Sequence, residues 1–380
     1  MLPAPKSDRL RLADVMPSCL AAIAGEPNRL GLAPVERAIV LLVDGLGAAA
    51  LRARAGHART LSALLSSVST IDSGFPTTTA AALGTLMTGV APGQHGLVGY
   101  TVLDTNNDRM VNQLSGWDDR LDPATWQRAA TVFERAEERG FSSIAIGPER
   151  YRSSGFSTAV LRGATYLAAA SIAGRLERAA EWLTAPGEHS IGYVYVPELD
   201  IAAHSFGWES AEWTAALETL DRAVRDLAAA LGRSTGLLVT ADHGILDVAE
   251  HSHVLIDSAP KLVDGIRFVA GDPRCLQLHF EPDASEAHRA RVVERWRQTE
   301  SHRAFVATRG EAIAAGWFGE VRPEVAPRIG DLLVAARKNI AYYDGRTATA
   351  HHRAMVGQHG SWSPAEVRVP LLRLGAFART

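Results

Sequence analysis

Residues 38–45 read AIVLLVDG, an unbroken apolar run that stops at Asp44 and Gly45. A run with no polar residue at alternate positions suits a strand of a parallel sheet covered on both faces. Working outward, similar runs return at 143–146, 192–196 and 236–240. Between them lie stretches with helical spacing, at 129–139, 172–183 and 208–231. Strand and helix alternate over most of the chain, which predicts an α/β fold with a mostly parallel central sheet flanked by helices.

From 248 to 351 the texture changes. Residues 266–270 and 275–280 read as strands around a Gly-Asp-Pro turn, 285–299 as a helix, and 303–308 and 331–336 as further strands. The expected organisation is a catalytic α/β domain built from 30–247 and 352–380, carrying a small α+β insertion over 248–351. No internal repeat is present.

Composition narrows the function. With 47% hydrophobic and 21% charged residues, the chain is neither disordered nor of low complexity. A net charge of -3 offers no general basic field, so no stable nucleic-acid complex is expected. Two cysteines, Cys19 and Cys275, argue for a reducing compartment without a disulfide framework. Neither lies in the C/S-x-P-x-R setting that a sulfatase nucleophile needs, and any metal must be held mainly by His and Asp. The first 25 residues carry Lys6, Asp8, Arg9, Arg11 and Asp14, and their apolar piece, 19–24, is short for a signal peptide. No apolar run approaches the ~20 residues of a membrane span. The expected location is the cytoplasm, without membrane association.

In open parallel sheets, ligands bind beyond the carboxyl ends of the strands. Asp44 follows the first strand, Asp200 and His204 follow YVYV at 193–196, and Asp242 and His243 follow GLLVT at 236–240. His359 lies in the GQHG stretch at 357–360. Each piece has a plain structural alternative: a turn at Asp44-Gly45, a capped helix start at Asp200, a loop exit at Asp242. Three carboxylates and three imidazoles arriving from separate strand ends suit two borderline divalent cations better than three unrelated turns. Residues 75–82, FPTTTAAA, open an apolar helix that runs to Thr88 and Gly89. A threonine there can simply cap the helix. It can also serve as a nucleophile, because a helix N-terminus favours phosphate oxygens and a nearby divalent cation eases loss of the hydroxyl proton.

These segments together resemble the type I phosphodiesterase/nucleotide pyrophosphatase family of the alkaline phosphatase superfamily. The resemblance runs from Ile39 to Leu372 and is carried by VDGLG at 43–47, TTTAAALGTLMTG at 77–89, PGQHG at 92–96, ELDIAAHSFG at 198–207, TADHG at 240–244 and GQHGSW at 357–362. It implies an alkaline-phosphatase-like fold and two divalent ions, expected to be zinc. Asp44, Thr79, Asp242 and His243 would hold one, and Asp200, His204 and His359 the other. Three carboxylates and one alkoxide would balance the two cations. Thr79 matches the nucleophile, which in the family stands nine residues before the threonine of the TG motif, here Thr88; Thr78 is its nearest rival. His359 matches the late ligand, whereas His95 falls where the family has a structural His-Gly.

The implied activity is hydrolysis of phosphodiester or pyrophosphate bonds, in a small molecule such as a nucleotide, through a phosphothreonine intermediate. Phosphonate or monoester hydrolysis on the same site is the alternative, and a degenerate metal-binding protein a more remote one. Two departures bear on substrate. Tyr100 stands where the family has an asparagine that binds a nonbridging phosphoryl oxygen, and Ala80, Ala81 and Ala82 replace the usual residues after the nucleophile. Monoesterases of the superfamily add an arginine clamp. No arginine adjoins Thr79, although Arg150, Arg152 or Arg162 could fold in. Trp117, Trp208 and Trp213 could stack a ring or serve as core. The GLGAAA stretch at 45–50 also matches a dinucleotide-binding G-x-G-x-x-A, but the required acidic residue is missing, Asp72 being too far along, and the match ignores every histidine.

Overall fold

The computed structural model describes residues 2–6, 8–184 and 189–378. The first residue of the N-terminal stretch and the last two of the expected catalytic domain lie outside the described residues. The fold is α/β, as expected.

Arg37–Val43 sits at the centre of a seven-stranded sheet. Its neighbours, Ser190–Val196 and Thr235–Thr240, both run parallel to it. Ser142–Gly147 and Thr165–Ala168 continue the parallel set on one side. Arg368–Gly375 and then Thr70–Asp72 close the other side with antiparallel pairing. Six of the seven residues of the central strand are buried, which explains its unbroken apolar run. The register sets Val43 beside Val196 and Leu42 beside Thr240. Three strands therefore end at one level, and the polar residues that follow them emerge together.

Helices cover the sheet. Ala211–Ala229 buries Trp213, Leu217, Leu220, Val224 and Leu227, a spacing of three to four that gives one apolar stripe. The Ser210 hydroxyl accepts the Trp213 N–H at 3.2 Å, so this helix begins at Ala211 rather than at 208. Ile172–Thr184 packs beside it. Trp213 is fully buried, and Trp208 meets it edge to face at 6.2 Å between ring centroids.

The second sheet has six antiparallel strands in the order Ala304–Thr308, Leu332–Ala336, Cys275–Phe280, Ile266–Asp272, Thr101–Asp104 and Arg109–Asn112. The last two form a hairpin from the first third of the chain, joined to the others where Gly271 faces Thr101. The helix Glu286–Glu300 lays Val292 and Trp296 on Leu276, Leu278, Leu332 and Val334 to form a second core. A buried ion pair ties this sheet to the loops after His243 and His359: Arg274 donates from Nε and Nη2 to the two oxygens of Glu366, both at 2.8 Å. Glu366 Oε1 also accepts the Ser361 N–H, and its carbonyl accepts the Gly244 N–H.

Candidate metal centre and catalytic cleft

Asp44 and Asp242 leave the ends of adjacent strands and face each other across Gly45. The Gly45 and His243 N–H groups donate to Asp242 Oδ1 at 3.2 and 3.0 Å. The Tyr195 hydroxyl donates to Asp44 Oδ2 at 2.5 Å. Gly45 has φ +74°, and a Cβ there would stand 3.0 Å from Asp200 Oδ1. The Asp-Gly pair is thus more than a turn, since a side chain at 45 would press on the Asp200 carboxylate. Asp200 and His204 share one face of the helix Glu198–Phe206, with His204 Nε2 3.1 Å from Asp200 Oδ2.

The imidazoles are oriented from behind. Backbone carbonyls can only accept, so His204 Nδ1 donates to Gly357 O at 2.8 Å, His359 Nδ1 to Thr77 O at 2.8 Å, and His243 Nδ1 to Gly244 O at 3.2 Å. His243 and His359, kept neutral by burial, then turn an Nε2 lone pair inward, the arrangement found when histidines ligate a metal, whereas His204 sets its Nε2 against Asp200. The His243 and His359 rings stack with centroids 3.7 Å apart.

The oxygens show the same imbalance. Asp44 Oδ1, Asp200 Oδ1 and Asp242 Oδ2 are buried and have no hydrogen-bond partner. Burial, reinforced by Asp242 and Asp200, raises the Asp44 carboxyl well above the ordinary range. Burial likewise lifts Asp242 to about 6. Burial would raise Asp200 too, but the adjacent His204 outweighs it and leaves Asp200 lowered. Burial pushes His243 down to about 4 and His359 to about 3. Deprotonated nitrogens and crowded carboxylates converging on one space are compensated by cations. Two overlapping groups could hold a cation, Asp44, Asp242 and His243, and Asp200, His243 and His359; they share the one free nitrogen of His243, and His204 falls in neither. The donor set fits borderline divalent metals.

The three threonines differ sharply. Thr77 Oγ1 donates to Ser361 O at 2.8 Å and accepts the Gly360 N–H. Thr78 occupies the N-cap position of the helix Thr79–Thr88 without capping it, because its hydroxyl donates to Asp272 Oδ1 at 3.2 Å. Thr79 opens the helix, and its Oγ1 lies 3.3 Å from His243 Nε2. His95 belongs to neither metal group. It packs behind this helix, its Nδ1 accepting the Leu97 N–H and its Nε2 3.1 Å from the Thr85 hydroxyl, and burial pushes it down to about 3.

Two cavities open at Thr79. The smaller, about 90 Å³, is lined by Leu83, Phe156 and the rings of Tyr151, Tyr166, Tyr193 and Tyr195. The larger, about 500 Å³, contains Asp200, His204 and His359, with Tyr100 among its lining side chains at 36% exposure. Arg162 and Arg152 do not enter either cavity; they pair with Glu134 and Glu149. Arg150 lies over the Tyr151 ring, 4.8 Å from its centroid. Trp117, Trp208 and Trp213 line neither cavity.

Sequence reading did not single out Tyr195, Asp272 or Glu366. Tyr195 was visible only as part of an apolar strand, and Asp272 only as a turn residue between two strands.

A family model described as type I phosphodiesterase / nucleotide pyrophosphatase matches residues 38–362. An uncharacterized pyrophosphatase/phosphodiesterase of Schizosaccharomyces pombe is 22% identical over 194 residues, 48% of this chain and 39% of that protein. The fold is shared with murine ectonucleotide pyrophosphatase/phosphodiesterase 5, solved as an inactive threonine-to-alanine variant in complex with AMP. That match has a TM-score of 0.68 at 15% identity and covers 90% of this chain and 88% of the other. The human counterpart aligns with a TM-score of 0.66 at 16% identity, covering 90% of each chain. No helix among the described residues is long and apolar enough to cross a membrane. With the motif residues gathered at the strand ends and the family match spanning both sheets, the chain belongs to the type I phosphodiesterase/nucleotide pyrophosphatase family.

Proposed function

We propose that this protein is a two-metal phosphohydrolase that cleaves phosphodiester or pyrophosphate bonds through Thr79. The observation that carries the reading is the Thr79 hydroxyl, 3.3 Å from His243 Nε2, while both neighbouring threonines spend theirs elsewhere. Asp44, Thr79, Asp242 and His243 would hold one cation and Asp200, His204 and His359 the other, with zinc the expected metal. Bound there, the cations would supply Lewis acidity, easing loss of the hydroxyl proton and offsetting phosphoryl charge.

Thr79 Oγ1 attacks phosphorus in line, the bond to the leaving oxygen breaks, and a phosphothreonine forms. Water then cleaves the Thr79–phosphoryl bond and restores the hydroxyl. First-turn N–H groups of the helix Thr79–Thr88 lack intrahelical partners and favour nonbridging oxygens. The Tyr100 hydroxyl supplies one further donor at the cleft. AMP bound to a protein of the same fold supports a nucleotide as one candidate substrate. Residues 30–247 and 352–380 form the catalytic unit of this reading, and 248–351 its insertion. Two buried free cysteines, Cys19 and Cys275, fit a cytoplasmic setting.

The test is hydrolysis of bis-p-nitrophenyl phosphate against p-nitrophenyl phosphate, in zinc, by wild type and Thr79→Ala. Diester-preferring activity that disappears in the variant is expected. Activity untouched by Thr79→Ala would remove Thr79 from the role and pass it to Thr78.

A further inference from the structure

In-line attack by Thr79 directs the leaving group away from the attacking oxygen. Of the two cavities that meet at Thr79, the larger, at about 500 Å³, has the room for a leaving group that the 90 Å³ pocket lacks. Its charge is one-sided. Among the described residues lining the two cavities there is no lysine or arginine, and the smaller cavity holds no charged side chain. The larger contains three carboxylates, Asp200, Asp272 and Asp344. Asp344 is neutralised by Arg346, whose Nη2 donates to Oδ2 at 2.8 Å. Asp200 belongs to the metal-holding set. Asp272 is buried, forms no ion pair among the described residues, and leaves Oδ2 without a partner; burial lifts its carboxyl to about 7, so it carries its charge above that pH.

The position of Asp272 is tightly fixed. It ends the strand Ile266–Asp272, accepts the Thr78 hydroxyl on Oδ1, and packs on the loop beyond His359, where a Cβ at Gly360 would stand 2.8 Å from Asp272 Cβ. Gly360 has φ +132°, so that close approach is built into the loop. Asp272 is thereby wedged between the residue before Thr79 and the residue after His359.

We propose that Asp272 is a specificity-determining residue that confines the site to phosphodiesters with a single negative charge and turns away substrates whose leaving group is itself a phosphate. The inference rests on the Thr79 reading above and narrows it from diester or pyrophosphate cleavage to diester cleavage. A second phosphate leaving through the larger cleft meets an unpaired carboxylate and no lysine or arginine to receive it. A neutral alcohol or phenol meets no such repulsion.

The test compares two substrates that share a nucleoside and a reacting phosphorus. They are the p-nitrophenyl ester of thymidine 5′-phosphate, whose leaving group carries no phosphate, and thymidine 5′-triphosphate. The ratio of their kcat/KM values is measured in zinc at pH 8 for wild type, Asp272→Asn and Asp272→Glu. Asp272→Asn is expected to move the ratio toward the triphosphate by about tenfold or more, and Asp272→Glu to retain the wild-type preference even where kcat falls. If Asp272→Asn does not fold, the smaller and equally uncharged Asp272→Ser gives the same reading. A ratio within about twofold of wild type in the uncharged variant overturns the proposal. Thr79→Ala separates the two claims: ester hydrolysis that ignores it removes the reading of Thr79, whereas Thr79-dependent hydrolysis with an unmoved ratio removes only the role of Asp272.

Discussion

The Nε2 atoms of His204 and His359 stand 3.3 Å apart, although each ring already donates its Nδ1–H to a backbone carbonyl. Two lone pairs held that close repel, unless one ring takes a second proton or a cation lies against both. His204 does lean toward protonation, because the attraction of Asp200 outweighs the burial that opposes it. A bound metal relieves the same repulsion without a charged imidazole. Dialysis against a chelator is therefore expected to lower the melting temperature, and zinc to restore it. At a free metal concentration of ~100 Kd, one site adds about 2.7 kcal/mol. His359→Ala should bind about one metal equivalent fewer by elemental analysis while keeping its fold by circular dichroism. Full metal content in that variant would remove His359 from the ligand set.

The threonines give a sharper contrast. Thr79→Ala should lower kcat by about a thousandfold or more, and Thr79→Ser should retain part of the activity, since it keeps the nucleophilic oxygen. Thr78→Ala loses only the bond to Asp272, so its kcat should stay within about tenfold of wild type. Trapping of the radiolabelled phosphoryl group of a diester substrate on wild type but not on Thr79→Ala, after acid quenching, checks the intermediate directly.

Tyr195 acts from behind Asp44. Its hydroxyl donates to Asp44 Oδ2 at 2.5 Å and leaves Oδ1 facing the candidate metal space. Tyr195→Phe removes that support and leaves the ring in place. Metal affinity should fall about 10–100-fold, as for other residues that orient a ligand. Competition with a chromogenic chelator measures it, and unchanged affinity would make the hydroxyl a packing detail.

The Arg274–Glu366 pair gives a pH signature. Burial alone would raise the Glu366 carboxyl, but Arg274 outweighs it and holds it below its ordinary 4.5. A depressed folded-state value means that the pair stabilises the fold above pH 4.5 and that this contribution is lost as pH falls through the folded value. Wild type should thus lose stability in urea melts below that pH. Glu366→Gln should start about 3–5 kcal/mol less stable at pH 7, because Arg274 stays buried without its partner, and should show a shallower decline in acid.

The metal-ligand candidates were legible in sequence for a local reason. Asp44, Asp200, Asp242 and His243 each follow an apolar run within a few residues, and the end of a parallel strand is where such folds place ligands; His204 lies one helical turn beyond Asp200, and His359 follows no parallel strand. The strands around 266–280 and the helix near 285–299 were legible through their periodicity. Residues whose meaning comes from distant partners were not. Tyr195 reads as one more strand residue until Asp44, 151 positions away, is brought beside it. Thr78 reads as a helix cap until Asp272 arrives from 194 positions on. The hairpin at 101–112 carries no local sign that its edge continues the sheet formed by 266–336, since strand pairing is settled by the global topology.

That shared sheet has an evolutionary consequence. Because Thr101–Asp104 borrows its neighbour from Ile266–Asp272, the segment 248–351 cannot be exchanged between relatives as a self-contained cassette. A graft would expose the edge of the host hairpin or require the donor hairpin to travel with it, and that hairpin follows directly on Tyr100. Diversification of the cleft wall that carries Asp272 is thereby yoked to the loop at Tyr100, so inherited changes in selectivity are expected as paired substitutions in two remote stretches of the gene.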